Sequence, residues 1–176
     1  MSELVWIHRF NSNELGLRGA GGFCLVPVDA RVIFFPNRDF SVNPDISETI
    51  HLTYISSGEQ VDLTYGKPPS KSEHRLSLTG PILKKHIGDE TSNSDIKPGK
   101  IGCFFRKGDE IFLSITDADS AYGKLLDLFP TRGKTNNLVT QTVLDSQQQN
   151  NNRNFNSSGI SYLSKPFLLL GYFRHR

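Results

Sequence analysis

The sequence predicts a mainly-β domain whose strands form a closed or partly closed barrel. Two observations carry this prediction. The apolar runs are short and are separated by turn residues. Strands and helices also do not alternate along the chain, as they would in a parallel α/β sheet. The pattern therefore favours a barrel built from many short strands with only two helices.

Nine strands are expected, at residues 4–10, 22–26, 31–35, 49–55, 60–65, 73–79, 100–106, 110–115 and 166–173. Two neighbouring pairs have the signature of a hairpin. Ser56-Ser57-Gly58-Glu59 joins one pair and Lys107-Gly108-Asp109 joins the other. In each connection a glycine supplies the positive φ that a tight turn needs.

Two helices are expected. Asp117 can cap a helix over residues 118–129, where apolar side chains recur on one face and Pro130 ends the run. A shorter helix is predicted at residues 81–86, with proline at its first turn and basic residues near its end.

Length and composition indicate one domain spanning residues 1–176. A Gln/Asn-rich segment at about residues 146–159 cannot bury apolar surface and is expected to be a mobile loop. Cys24 and Cys103 lie in apolar runs and are expected to be buried thiols, which suits a cytoplasmic protein. Neither a membrane span nor a signal peptide is predicted.

The positive charge of the chain is concentrated in one region. The whole chain carries a net charge of +2, whereas residues 61–86 contain five Lys/Arg and only two acids. Lys67, Lys71, Glu73, His74 and Arg75 crowd into one loop between two predicted strands. Such a loop attracts polyanions, although an ordinary solvated loop has the same composition.

A glycine-rich segment at residues 16–22 carries a single arginine, Arg18. The segment leads into a strand rather than a helix, which argues against a dinucleotide site. Glycine lets a backbone approach a DNA groove closely, and Arg18 can then reach a guanine edge or a phosphate. The competing interpretation is a flexible turn with an exposed arginine.

Two other functions remain open from the residues alone. Asp45, Asp95 and Lys97 spell a Pro-Asp…Asp-x-Lys pattern that could hold Mg²⁺ and activate water in a nuclease. Tyr54, Tyr65 and Tyr122 could instead stack on a carbohydrate. No nucleophile elbow is present, and the scattered histidines have no ligand spacing, so neither a catalytic triad nor a metal site is expected.

The order of these features resembles the N-terminal effector domain of EcoRII-type restriction endonucleases, which shares its fold with plant B-three transcription factors. The resemblance covers residues 9–130. Its elements are Arg9, the glycine-rich segment, Phe35-Pro36, Asn43-Pro44, a strand ending in Ser56-Ser57, Ser72-Glu73-His74-Arg75-Leu76-Ser77, Gly102-Cys103-Phe104-Phe105, Ser114-Ile115-Thr116-Asp117 and Leu128-Phe129-Pro130.

The resemblance implies an open pseudobarrel that grips the major groove of double-stranded DNA with two arms. The N-arm corresponds to about residues 12–21 and the C-arm to about residues 67–78. Base contacts are implied for Arg18, Glu73, His74 and Arg75, although the family prefers lysine where His74 stands. Contacts to the DNA backbone, or support of the arms, are implied for Ser12, Asn13, Gly19, Gly21, Arg38, Lys67, Lys71, Ser72 and Ser77.

The resemblance also implies a partner and a target. The family recognises CC(A/T)GG, and its Mg²⁺-dependent nuclease domain lies C-terminal to the effector domain. We expect this chain to be the non-catalytic, monomeric DNA-binding domain, to need no cofactor itself, and to act with a nuclease domain in cis.

Overall fold

The computed structural model describes residues 4–11, 14, 22–42, 44–78, 100–120, 123–124, 126, 136–140, 143–146 and 149. These residues form eight strands, a 3-10 helix at Val28–Ala30, a short α-helix, α1, at Arg31–Phe34, and helical residues at 123–124, 126, 143–146 and 149. The strands are β1 (Leu4–Arg9), β2 (Phe23–Val26), β3 (Ser47–Tyr54), β4 (Gln60–Gly66), β5 (His74–Ser77), β6 (Ile101–Lys107), β7 (Glu110–Thr116) and β8 (Asn136–Thr140).

The strands form a single curled sheet with the order β2-β5-β4-β3-β7-β6-β1-β8. Neighbouring strands are antiparallel except β3 and β7, which run parallel. The sheet curls into a half-barrel. The predicted fold class, a mainly-β open pseudobarrel with short helices, is confirmed.

Most of the predicted strands are confirmed to within two residues at each end. Both hairpins are also confirmed, as β3–β4 and β6–β7. Gly58 and Gly108 have φ of 74° and 58° in these turns, a conformation that other residues rarely adopt.

The strand predicted at residues 31–35 is wrong, because these residues form α1. Its β-branched and aromatic side chains favour a strand locally. In the folded chain, however, the guanidinium of Arg106 donates to the carbonyl oxygens of Ile33 at 2.7 Å and Phe34 at 2.8 Å. These bonds satisfy carbonyl groups that the end of a helix leaves without partners. A contact 72 residues away along the chain therefore supports the helix.

The cap predicted for the next helix also needs correction. The hydroxyl of Ser120, rather than the carboxylate of Asp117, accepts the backbone N–H of Gly123 at 3.0 Å. This is the bond that an N-cap side chain makes. Asp117 instead lies 3.8 Å from the Lys100 ammonium. Part of the predicted helix, at residues 121–122, 125 and 127–129, lies outside the described residues.

Several other predictions fall on parts of the chain that the structure does not describe. They are the helix at 81–86, the strand at 166–173 and, apart from the helical Ser146 and Gln149, the Gln/Asn-rich loop. Strand β8, which pairs with β1, was not predicted. No helix within the described residues is long and apolar enough to cross a membrane.

The core consists of two clusters on the two faces of the sheet. The larger cluster fills the inside of the curl around Trp6, Phe104 and Tyr65. The smaller cluster joins Val5, Phe105 and Phe112 to Leu126 and Leu144, which come from helical residues outside the sheet. Cys24 and Cys103 are both buried thiols, as expected. Burial raises the pKa of the Cys24 thiol, so this group stays protonated at neutral pH.

Candidate functional site

The candidate site lies on the outward face of β2, β5, β4 and β3. Side chains alternate strictly here, because successive residues of a strand point to opposite faces. His74 and Leu76 of β5 are buried, whereas Arg75 and Ser77 point outward. Register places Leu25 opposite Arg75, Arg75 opposite Gly66, and Gly66 opposite Ser47. A row of outward positions thus crosses four strands and places Arg75 between Leu25 and Gly66.

The C-arm loop, which we define as residues 67–73, connects β4 to β5 and begins beside this face. The backbone N–H of Lys67 donates to the Ile46 carbonyl at 2.9 Å, and that of Lys71 donates to the Pro68 carbonyl at 3.0 Å. The Lys67 ammonium lies 2.8 Å from the Asp45 carboxylate, which lowers the pKa of that carboxyl group. Two contacts of Lys67 therefore tie down the base of the loop, and the Lys71–Pro68 hydrogen bond closes a turn within it.

Arg75 is held in a defined orientation. Its Nε donates to the Glu73 carboxylate at 3.1 Å, and its Nη2 donates to the same oxygen. Its guanidinium also lies over the Phe23 ring, 4.1 Å from the ring centroid. A cation over an aromatic face and a charge-assisted hydrogen bond each stabilise this position. The side chain is consequently preorganised rather than a freely moving solvated arginine.

A groove runs between the C-arm loop and this face. Its volume is about 780 Å³. Apolar and polar groups share its lining, including Phe23, Thr64, Lys67, Pro68, Arg75 and Ser77. Such a mixture of apolar surface with a few polar groups is typical of a binding cleft.

His74 does not have the exposure that a base-reading residue needs. Its side chain points into the core, where only 2% of its surface is exposed, and Nδ1 lies 3.2 Å from the Tyr65 hydroxyl. Burial, followed by the charges of Arg31, Lys67 and Arg38, lowers its pKa to about 4. The imidazole is therefore neutral near pH 7 and serves the core. The sequence prediction for this residue is corrected accordingly, because strand alternation turns it inward.

The remaining basic residues predicted at the C-arm differ in how much of their charge is balanced. The Arg38 guanidinium lies 2.7 Å from Glu48 and donates to the Asp45 carbonyl at 2.8 Å, and Lys67 pairs with Asp45. Lys71 is exposed and forms no ion pair with any described residue. Ser72 is exposed beside it, and Ser77 is half-buried on the outward face of β5.

The base of the N-arm is built around Glu14. Its carboxylate lies 3.0 Å from Nε2 of the buried His8 and accepts the backbone N–H of Asn11 at 3.0 Å. Its carbonyl accepts the Gly22 N–H at 2.8 Å, while the Gly22 carbonyl accepts the N–H of Leu78. These bonds join Glu14, Gly22 and Leu78 at the base of the predicted arm. Five predicted residues of the arm lie outside the described residues, namely Ser12, Asn13, Arg18, Gly19 and Gly21.

The structure bears differently on the two alternative sites, the carbohydrate site and the nuclease site. The carbohydrate hypothesis is wrong for Tyr54 and Tyr65, because both rings are buried in the core, and Tyr122 lies outside the described residues. Asp45 of the nuclease hypothesis pairs with Lys67, while Asp95 and Lys97 lie outside the described part of the chain. Among the described residues, no three His, Cys, Asp or Glu side chains come together as metal ligands.

Sequence reasoning missed two residues, Phe23 on this face and Arg31 beyond the C-arm end of β5. Phe23 supports Arg75 from the neighbouring strand. The alternation of buried and exposed residues in β2 turns Phe23 outward, and this alternation is the sequence signal that could have identified it. Arg31 lies over the Phe40 ring at 5.5 Å, next to the C-arm end of β5. No local pattern predicts this contact, because it depends on the turn of the chain after α1.

No family model matches the chain, and no curated protein matches its sequence. Solved structures do match its fold. The N-terminal domain of Helicobacter pylori LlaJI.R1 is similar over 77% of this chain and 97% of that domain, with a TM-score of 0.55 and 14% identity. The B3 domain of the UbaLAI restriction endonuclease, crystallised with cognate DNA, is similar over 79% of this chain and 86% of that domain, with a TM-score of 0.49 and 19% identity. The resemblance predicted from the sequence is confirmed at the level of the fold.

Proposed function

We propose that this chain binds double-stranded DNA in a sequence-specific manner, as the effector or targeting domain of a type II restriction endonuclease. The observation that carries the proposal is Arg75, which Glu73 and Phe23 hold on the outward face of the sheet beside a basic loop. The target expected from the resemblance is CC(A/T)GG or a closely related site.

Arg75 is proposed to read guanine. Glu73 engages Nε and one hydrogen of Nη2, so Nη1 and the second Nη2 hydrogen are the donors left for guanine O6 and N7. A bidentate arginine–guanine contact contributes about 1–3 kcal/mol of discrimination between bases. Glu73 then acts by positioning Arg75, in preference to the cytosine contact that the sequence suggested.

The two arms are proposed to enter one major groove together. Strands β2 and β5 are antiparallel, so Gly22, which precedes β2, and Glu73, which precedes β5, lie at opposite ends of this pair. A strand of four residues advances about 10–14 Å, at about 3.4 Å per residue. The major groove is about 12 Å wide. In the proposal Arg18 reads bases from the N-arm while Arg75 reads them from the C-arm side.

Phosphate contacts are proposed for Lys71, whose charge is exposed and not paired with any described residue. Lys67 and Arg38, which are already paired with acids, are assigned mainly to the support of the C-arm. Phosphate contacts increase affinity for every DNA sequence and make binding depend on salt.

Hydrolysis of DNA belongs in this proposal to a Mg²⁺-dependent nuclease domain in cis. The DNA-binding chain itself is proposed to act as a cytoplasmic monomer.

Selection of bound duplexes from a random pool tests the proposal. The parent should enrich one short motif, and Arg75→Ala should reduce its preference for that motif about 10- to 100-fold. Lys124→Ala, which removes an exposed cation outside the proposed arms, is the matched control and should retain the preference. Enrichment of no motif by the parent would refute sequence-specific binding, and Mg²⁺-dependent plasmid cleavage lost in Asp95→Ala would favour the nuclease hypothesis.

A further inference from the structure

Arg31 is a cation for which the described part of the chain provides no counterion. It begins α1, directly after the 3-10 helix that follows β2. Its side chain is only partly exposed, and its buried Nε has no hydrogen-bond partner. Buried polar groups nearly always have a partner, and a partly buried guanidinium without a counterion is stabilised when an anion binds it.

Arg38 differs from Arg31 in having a counterion, although its Nε is likewise buried without a hydrogen-bond partner. Both guanidinium groups lie 5.5 Å from the centroid of the Phe40 ring, on the same cluster of aromatic side chains. Arg38 is neutralised by Glu48 and bonded to the Asp45 carbonyl. The nearby Asp39 carboxylate is occupied by the backbone N–H and the hydroxyl of Ser41. Arg31 is thus the member of this cluster that remains available for a ligand.

An open cavity of about 540 Å³ lies beside Arg31. Val28, Asn37, Asp39, Phe40 and Ser41 contribute to its lining, and Val28 is 70% exposed. The cavity adjoins the C-arm end of β5, because the Phe40 ring packs edge-on against His74 at 4.9 Å between centroids. The charge of Arg31 reaches the same place, since it contributes to the lowered pKa of His74.

We infer that Arg31 and the cavity beside it form a binding site for a backbone phosphate of the duplex, just beyond the C-arm. This inference rests on the proposed function and extends the contact surface from the loop at residues 67–73 to α1. A guanidinium presents a planar fork of donors that fits phosphate oxygens, and the Phe40 ring holds the fork in place. The site contributes affinity without sequence information.

The test is the salt dependence of duplex binding, measured by fluorescence anisotropy on the full chain at several NaCl concentrations. Loss of one phosphate contact lowers the slope of log affinity against log salt by about 0.9. We expect Arg31→Gln to show this decrease and to weaken cognate and non-cognate duplexes equally, by about tenfold. Arg31→Lys, which keeps the charge, should retain the slope, and Lys124→Gln should match the parent.

A second variant leaves Arg31 and the core intact. Val28→Glu places a carboxylate at an exposed position of the same cavity and should lower the slope by about 0.9, as Arg31→Gln does. Parental slopes in Arg31→Gln and Val28→Glu, with a lower slope in Lys71→Gln, would overturn the Arg31 site while the proposed function stands. Absence of duplex binding by the parent at low salt would overturn both.

Discussion

The two halves of the sheet bury their side chains in different ways. In the half formed by β1, β6 and β7, consecutive residues are buried, so both faces of the strands are covered. Helical residues cover the outer face. In the half formed by β2, β5, β4 and β3, buried residues alternate with exposed or half-buried ones. We call these the scaffold half and the site half.

The difference separates stability from binding. A strand covered on both faces has no surface left for a ligand, whereas an alternating strand presents every second side chain to solvent. Phe23, Arg75 and Ser77 lie on such outward positions, and their inward neighbours belong to the core. Substitutions in the scaffold half should therefore affect folding, and outward substitutions in the site half should affect binding.

The largest effect is expected when the same substitution, phenylalanine to alanine, is made in each of the two halves. Phe105 is fully buried and stacks on Phe112, with 5.4 Å between ring centroids. Phe105→Ala should lower the free energy of unfolding by about 3–5 kcal/mol, because it leaves a cavity. Phe23→Ala, on the outward face, should lower it by less than about 1.5 kcal/mol and weaken DNA binding instead. Urea denaturation measures the free energy of unfolding of both variants. Equal losses of this free energy would contradict the division into a scaffold half and a site half.

The next effect concerns the inward side of the site half, at His74. Its pKa in the fold, about 4, lies below the ordinary value of 6.5. As the pH falls below 6.5 the unfolded chain binds the proton first, so stability present above pH 6.5 is lost as the pH approaches 4. The loss reaches at most about 3 kcal/mol.

Urea denaturation at several pH values measures this loss, and His74→Gln should remove its share of the pH dependence. His51→Gln is the control, because His51 is an exposed residue on the outer face of β3. If the variant and the parent lose stability in parallel between pH 6.5 and 4, the assignment of His74 to the core is wrong.

The smallest effect separates positioning from reading at Glu73. Glu73→Gln keeps an acceptor but removes the charge that holds Arg75, so discrimination at the guanine should fall about three- to tenfold, less than in Arg75→Ala. Competition binding with single-base variants of the selected site measures this effect. A change of preference at a cytosine position alone would show that Glu73 reads that base directly.

The sequence predicted most strands and both hairpins because alternation and turn glycines are local signals. It also located the charged loop at residues 67–73, since a cluster of charges between two strands is visible without a structure. It did not predict Phe23 as the support of Arg75, because the two residues are 52 positions apart and meet only through the pairing of β2 with β5. His74 points inward because of the register of β5, and a shift of that register by one residue would have turned its side chain outward.

The amino-acid pattern by itself determined the class of fold, the positions of the turns and the place where positive charge collects, since each depends on residues close together in the chain. The tertiary structure decided which secondary structure residues 31–34 adopt and which charged side chains are paired. It converted residues 31–34 from an apparent strand into α1 through the distant Arg106, and it balanced Arg38 with Glu48 while providing no described counterion for Arg31. Such outcomes depend on contacts between remote segments, and so only the folded chain specifies them.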